Sequence, residues 1–247
     1  VEPLTASSGD NVRVYVWEVP VRAAHWLIAL SMVVLAATGI YIGRPFLSVP
    51  GPAGQHFVMG TVRAVHFYAG IVFSLAILMR VIWMFRGNRY ARWDKLLPGD
   101  KRRLKGLWPT FKFYVFALRK PPGFAGHNPL AGLAYTAVFC LYGVMVLSGL
   151  GLYAMSAPVG SPVRSLTVLL GLFGGAQTAR LVHHIVMWLL IGFVAHHVYS
   201  AVMMSQIEQN ATIESIFSGY KFVPHEDLVY SGYRFREREI PHAGTPS

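Results

Sequence analysis

Cysteine and charge are both scarce in this chain. Of 247 residues, one is cysteine and only 13% are Asp, Glu, Lys or Arg, about half the share of a soluble domain. A single cysteine, Cys140, excludes an internal disulfide, a thiolate-held iron–sulfur cluster and a CxxCH haem attachment. Any haem must therefore be held non-covalently by other ligands. The glycine signatures of Rossmann and Walker phosphate sites are missing, as is HExxH, so the sequence gives no support to nucleotide-dependent or zinc-protease chemistry. The long apolar runs contain no Asp or Glu, which counts against a histidine-lined transporter or metal channel.

Apolar residues are abundant instead. They make up 54% of the chain, and the mean hydropathy is +0.44. Twelve Tyr, fifteen Phe and six Trp suit the aromatic belts of a membrane protein. The formal charge of +11 would also suit nucleic acid. However, the basic residues gather in the gaps between apolar runs, as in cytoplasmic loops facing anionic lipid. Membrane lipid, not nucleic acid, is the expected partner of that charge.

Four runs are long enough to span a bilayer: about 21–42, 62–85, 130–153 and 179–204. Residues 1–20 read as a polar N-terminal tail and 205–247 as a polar, charged C-terminal tail. The first run is too long for the apolar core of a signal peptide, and no small-residue cleavage site follows it. Arg80 and Arg86 mark the end of the second run. The loop 86–128 holds eleven Lys and Arg against Asp94 and Asp100. Within it, LWPTFKFYVFALRK (107–120) mixes aromatics and cations as an interfacial helix does. The patch Leu166–Gly175 is too short to cross and is expected to dip into the interface or meet a partner subunit. The fold class is thus an all-α membrane protein, a four-helix transmembrane bundle. With the basic loop inside, both termini are cytoplasmic.

The stretch 183–197, HHIVMWLLIGFVAHH, carries a histidine pair at each end. Histidines inside a membrane span point to function. His183 and His197 are fourteen residues apart, which returns to within about 40° of one helix face and rises about 21 Å. The topology then sets depths. His66, opening span two, matches His183 near the outer surface; His25, opening span one, matches His197 near the inner surface. A lone histidine at a helix end is ordinarily interfacial or hydrogen-bonded. Two depth-matched pairs are what bis-imidazole ligation of two haem irons requires.

His184 and His196 lie on other faces and read as packing residues. His56, His127, His225 and His242 fall in loops or tails. Gly39, Gly70, Gly143, Gly149 and Gly192 would let helices or a flat macrocycle approach closely, though glycine is also simply common in membrane helices. Arg63 and Arg22, three residues before His66 and His25, are placed to pair with haem propionates or to anchor in headgroups.

Several segments resemble a known family: RAAHWLIALSMVVLAATGIYIGRP (22–45), MGTVRAVHFYAGIVFSLAILMRVIWMFRGNRYAR (59–92), GHNPLA (126–131) and VHHIVMWLLIGFVAHHVY (182–199). They are similar to the b-type cytochrome subunit of membrane-bound nickel–iron uptake hydrogenases and, more distantly, to cytochrome b subunits of formate dehydrogenases. The second stretch, with its GNRY exit, is the most specific part.

The resemblance implies two haem b groups, with His25, His66, His183 and His197 as iron ligands. It also implies a place in the bacterial cytoplasmic (inner) membrane. Its partners would be the hydrogenase small (iron–sulfur) and large (nickel–iron) subunits on the periplasmic side, with membrane quinone as electron acceptor. Such a chain performs no substrate chemistry alone beyond any reduction of quinone. A cytochrome b subunit of a formate dehydrogenase or another respiratory complex shares this plan. A histidine-lined transporter is the reading from a different class.

Overall fold

The chain folds into four long apolar helices with a small sheet built from its flanks. The structure, a computed structural model, describes residues 11–46, 57–93, 101–114, 117, 129–208 and 211–224. In chain order the elements are strand β1 (Asn11–Tyr15), helices α1 (Val19–Gly43), α2 (Val58–Arg86), α3 (Lys101–Tyr114) and α4 (Pro129–Ala154), a 3-10 helix (Pro162–Phe173), α5 (Ala176–Glu208), the single turn α6 (Ser215–Ser218) and strand β2 (Tyr220–Pro224).

Two compact units divide the chain. The first comprises Val19–Phe85 and Thr136–Ser200. It takes in most of α1, α2, α4 and α5, each long and apolar enough to cross a membrane. Their shared core brings together Ile28, Phe73, Ala76, Val138, Tyr142, Val186 and Leu190. Tyr142 stands edge-on to Phe73 and its hydroxyl reaches Met32 Sδ at 3.6 Å. In the most apolar stretch of each helix only 11–17% of residues are buried within the protein. The apolar surface therefore faces outward, as lipid requires and water does not permit. This is a multi-pass, all-α membrane bundle.

The segment 154–178 does not cross. Ser161 caps the 3-10 helix at its start, and Gly174, at φ 77°, ends it. Leu170 is buried against Gly151 of α4, where any side chain would collide with it.

The second unit comprises Val1–Glu18, Arg86–Tyr135 and Ala201–Ser247. Here the structure goes beyond the polar tails expected from composition. β1 and β2 pair antiparallel, with Arg13 opposite Phe222. The amides of Val16 and Trp17 donate to Gly219 O at 2.8 and 3.1 Å, and Trp17 Nε1 donates to the buried Ser215 Oγ at 3.1 Å. Gly219 adopts φ 90°, a conformation that favours glycine.

The GNRY exit also belongs to this unit. Asn88 takes Glu18 Oε2 on its backbone amide at 2.7 Å and donates from Nδ2 to Val16 O at 3.1 Å. Its Oδ1 accepts from the amides of Tyr90 and Ala91, an Asx turn that ends the run of α2. Asn88 is thus the knot between the end of α2 and the strand that leads into α1.

α3 begins before the 107–120 segment expected to form the interfacial helix and includes Pro109. Residues 115–116 and 118–120 of that segment lie outside the described residues. Gly106, Thr110 and Phe113 face inward, while Leu104, Trp108 and Phe111 are exposed. Trp108 and Phe111 stack at 5.7 Å, with Lys112 Nζ 5.4 Å from the Trp108 ring. An apolar aromatic stripe edged by cations suits a helix lying in the headgroup region.

Candidate functional site

Burial separates the six described histidines. His25, His66, His183 and His197 are half-buried, whereas His184 and His196 are exposed. Geometry separates them further.

His66 of α2 turns toward α1. Its Nδ1 lies 2.8 Å from Thr38 Oγ1. Gly39, the next residue, comes so close that a Cβ there would stand 3.4 Å from both His66 Cε1 and Met187 Sδ. Met187 lies one turn beyond His183 on α5.

His183 turns toward α4 in the same way. Its Nδ1 lies 2.8 Å from Ser148 Oγ, and a Cβ at Gly149 would stand 3.3 Å from His183 Cε1. Gly39 thus links the His66 ring to the helix that carries His183. All four helices therefore contribute to this pair: α2 and α5 supply imidazoles, and α1 and α4 supply a hydroxyl followed by a glycine.

His25 and His197 form the second pair, their ring centroids 6.3 Å apart. Phe193, one turn before His197, stacks on it at 5.7 Å and 14°. His25 Nδ1 is buried and makes no hydrogen bond among the described residues. Such a nitrogen costs roughly 1–3 kcal/mol unless a non-protein group changes its surroundings.

These features fit a haem at each pair. The imidazoles of each pair come from different helices, and the Nδ1 atoms of His66 and His183 are already engaged, leaving their Nε2 atoms free to ligate. Gly70, half-buried and one turn beyond His66, has open space where a Cβ would be. Among the described residues no cluster of three or more His, Cys, Asp or Glu is arranged for a bare metal ion.

The other two described histidines, His184 and His196, are exposed and make local contacts. His184 lies against Gly43, with a Cβ there 3.2 Å from its Cε1, and edge-on to Trp188. His196 Nε2 lies 3.3 Å from Ser200 Oγ. His56, His127, His225 and His242 lie outside the described residues. Of the other glycines singled out, Gly143 and Gly192 are exposed and neither has a close neighbour. Arg63 is exposed, and Arg22 is half-buried.

Sequence reasoning missed Thr38 and Ser148. Their signal was present as two hydroxyl–glycine dipeptides, in AATGIY and VLSGLG. It also treated Arg80 as a boundary marker, whereas the structure buries Arg80 inside α2, fourteen residues beyond His66.

A family model described as prokaryotic cytochrome b561 matches residues 16–219. Among curated proteins, the probable Ni/Fe-hydrogenase B-type cytochrome subunit of Azotobacter chroococcum is 38% identical over 224 residues, covering 88% of this chain and 93% of its own. The probable Ni/Fe-hydrogenase 1 B-type cytochrome subunit of Escherichia coli K12 is 36% identical over 218 residues, covering 87% and 93%. The probable Ni/Fe-hydrogenase B-type cytochrome subunit of Cupriavidus necator is 35% identical over 219 residues, covering 87% and 90%.

Proposed function

Because the chain belongs to the prokaryotic cytochrome b561 family, we propose that it is a dihaem b-type cytochrome subunit of a nickel–iron hydrogenase. In this reading it anchors the complex in the bacterial inner membrane. It passes electrons from the iron–sulfur small subunit on the periplasmic side to membrane quinone. The observation that carries the reading is the ring of His25 lying 6.3 Å from that of His197, supported by His66 and His183, each held 2.8 Å from a hydroxyl of a neighbouring helix. The names of the relatives favour hydrogenase over formate dehydrogenase as the catalytic partner.

Haem b supplies a reversible one-electron carrier when bound. The chain's own residues do the rest. His66 and His183 present ring nitrogens near the outer surface, and His25 and His197 present theirs near the inner. The fourteen-residue step from His183 to His197 sets the two sites about 21 Å apart along α5, bridging most of the hydrocarbon core. The core around Phe73, Tyr142, Val186 and Leu190 keeps the middle of the bundle apolar.

Two further observations support the topology. The β1–β2 pairing joins the flank before α1 to the flank after α5, as an even number of crossings requires. The basic loop between α2 and α4 favours the cytoplasmic side for both flanks by the positive-inside rule.

The test is hydrogen-driven quinone reduction in membranes holding this chain with hydrogenase small and large subunits. Hydrogen should reduce the cytochrome and then quinone, and His183→Ala should abolish both while the hydrogenase still reduces a soluble dye. An undiminished quinone rate in His183→Ala would refute the proposal.

A further inference from the structure

The hydroxyls of Thr38 and Ser148 occupy the same position on two different helices. Thr38 Oγ1 donates to Val34 O at 2.7 Å, with Leu35 O at 3.3 Å. Ser148 Oγ donates to Val144 O at 2.6 Å, with Met145 O at 3.3 Å. Each then lies 2.8 Å from a histidine Nδ1. A hydroxyl has one proton and two lone pairs. Here the proton is committed to the residue's own helix, the back-bonding common for Ser and Thr in apolar helices. Toward the imidazole the oxygen can only accept.

It follows that His66 and His183 each carry their proton on Nδ1 and present the lone pair of Nε2. The fixed tautomer and the adjoining glycine together set the plane of each ring. Donation from Nδ1–H to an acceptor also raises the basicity of the opposite nitrogen, as partners of ligating histidines generally do.

We propose that Thr38 and Ser148 are paired positioning residues that orient His66 and His183 as iron ligands and lower the reduction potential of that site. A more basic Nε2 favours ferric over ferrous iron. His25, in the other pair, makes no such Nδ1 hydrogen bond among the described residues. The bias from Thr38 and Ser148 falls on the His66 and His183 site. The proposal rests on the haem reading above.

Potentiometric titration of the purified holoprotein, followed by visible absorption and low-temperature EPR, tests it. Thr38→Val and Ser148→Ala remove one acceptor each. In either variant one of the two haem components should shift to higher potential and change its low-spin EPR signal while the other stays fixed. The double variant should shift further. Thr38→Ser and Ser148→Thr keep the acceptor and should match the wild type.

If Thr38→Val or Ser148→Ala loses one haem while its conservative counterpart keeps both, the hydroxyl is still the cause. Loss in the conservative variants as well would overturn the proposal, because shape alone would then be responsible. Unchanged potentials and EPR signals in the double variant would overturn it too. The underlying haem reading fails separately, if His66→Ala retains both haems.

Discussion

Gly149 stands against the ring of His183 so closely that a Cβ there would lie 3.3 Å from Cε1. That approach lets Ser148, one residue earlier, bring its hydroxyl to Nδ1. Gly39 and His66 repeat the relationship on the other side of the pair, at 3.4 Å.

Glycines with and without such contacts should respond differently. Gly149→Leu has to displace the imidazole, and overpacking of this kind costs about 1–3 kcal/mol. Total haem per chain should fall by about half as that pair fails. Gly143→Leu, on a helix position with nothing nearby, should retain full haem content. A pyridine haemochrome assay on both purified variants checks this. Equal haem in the two would show that Gly149 does not shape the site.

The flanking sheet makes a separate demand on Gly219. Its φ of 90° and the 2.7 Å from a Cβ to Trp17 O leave no room for a side chain. Gly219→Ala should strain this corner by roughly 1–3 kcal/mol and loosen the β1–β2 pair. Limited proteolysis should then cut the chain before α1 several-fold faster than in the wild type. An unchanged cleavage rate would argue that the corner tolerates the change.

Register gives a test of sidedness. Arg13 and Phe222 are opposite one another, both exposed, and directly paired strand residues lie within disulfide range. In a Cys140→Ala background, Arg13→Cys and Phe222→Cys should each react with an impermeant maleimide only in inside-out vesicles. The double variant should cross-link under mild oxidation. Labelling of the two from opposite membrane faces would overturn the shared cytoplasmic placement of the flanks.

Much of the bundle is legible in the sequence because lipid imposes a strong pattern. Runs of about twenty apolar residues without acids have few alternatives to spanning helices, and the helices α1, α2, α4 and α5 contain those runs. The histidine face on α5 was readable because helical period alone relates His183 to His197.

The sheet was not readable in this way. β1 and β2 are five residues each and 205 residues apart at Tyr15 and Tyr220, and neither strand carries enough apolar alternation to announce its partner. Their pairing depends on contacts made by Asn88, Trp17 and Ser215, which only the fold brings together. Thr38 and Ser148 were hidden for a related reason. A Ser or Thr in an apolar helix usually bonds only its own backbone, and nothing local reveals that an imidazole from another helix will meet the remaining lone pair.

Haem stoichiometry across single histidine variants tests the assignment of two imidazole pairs most directly. The purified wild-type chain should carry two haem b, with a sharp α-band on reduction. Each of His25→Ala, His66→Ala, His183→Ala and His197→Ala should carry one, while His184→Ala and His196→Ala keep two. Loss of haem in His184→Ala or His196→Ala, with two haems retained in His183→Ala or His197→Ala, would contradict the assignment.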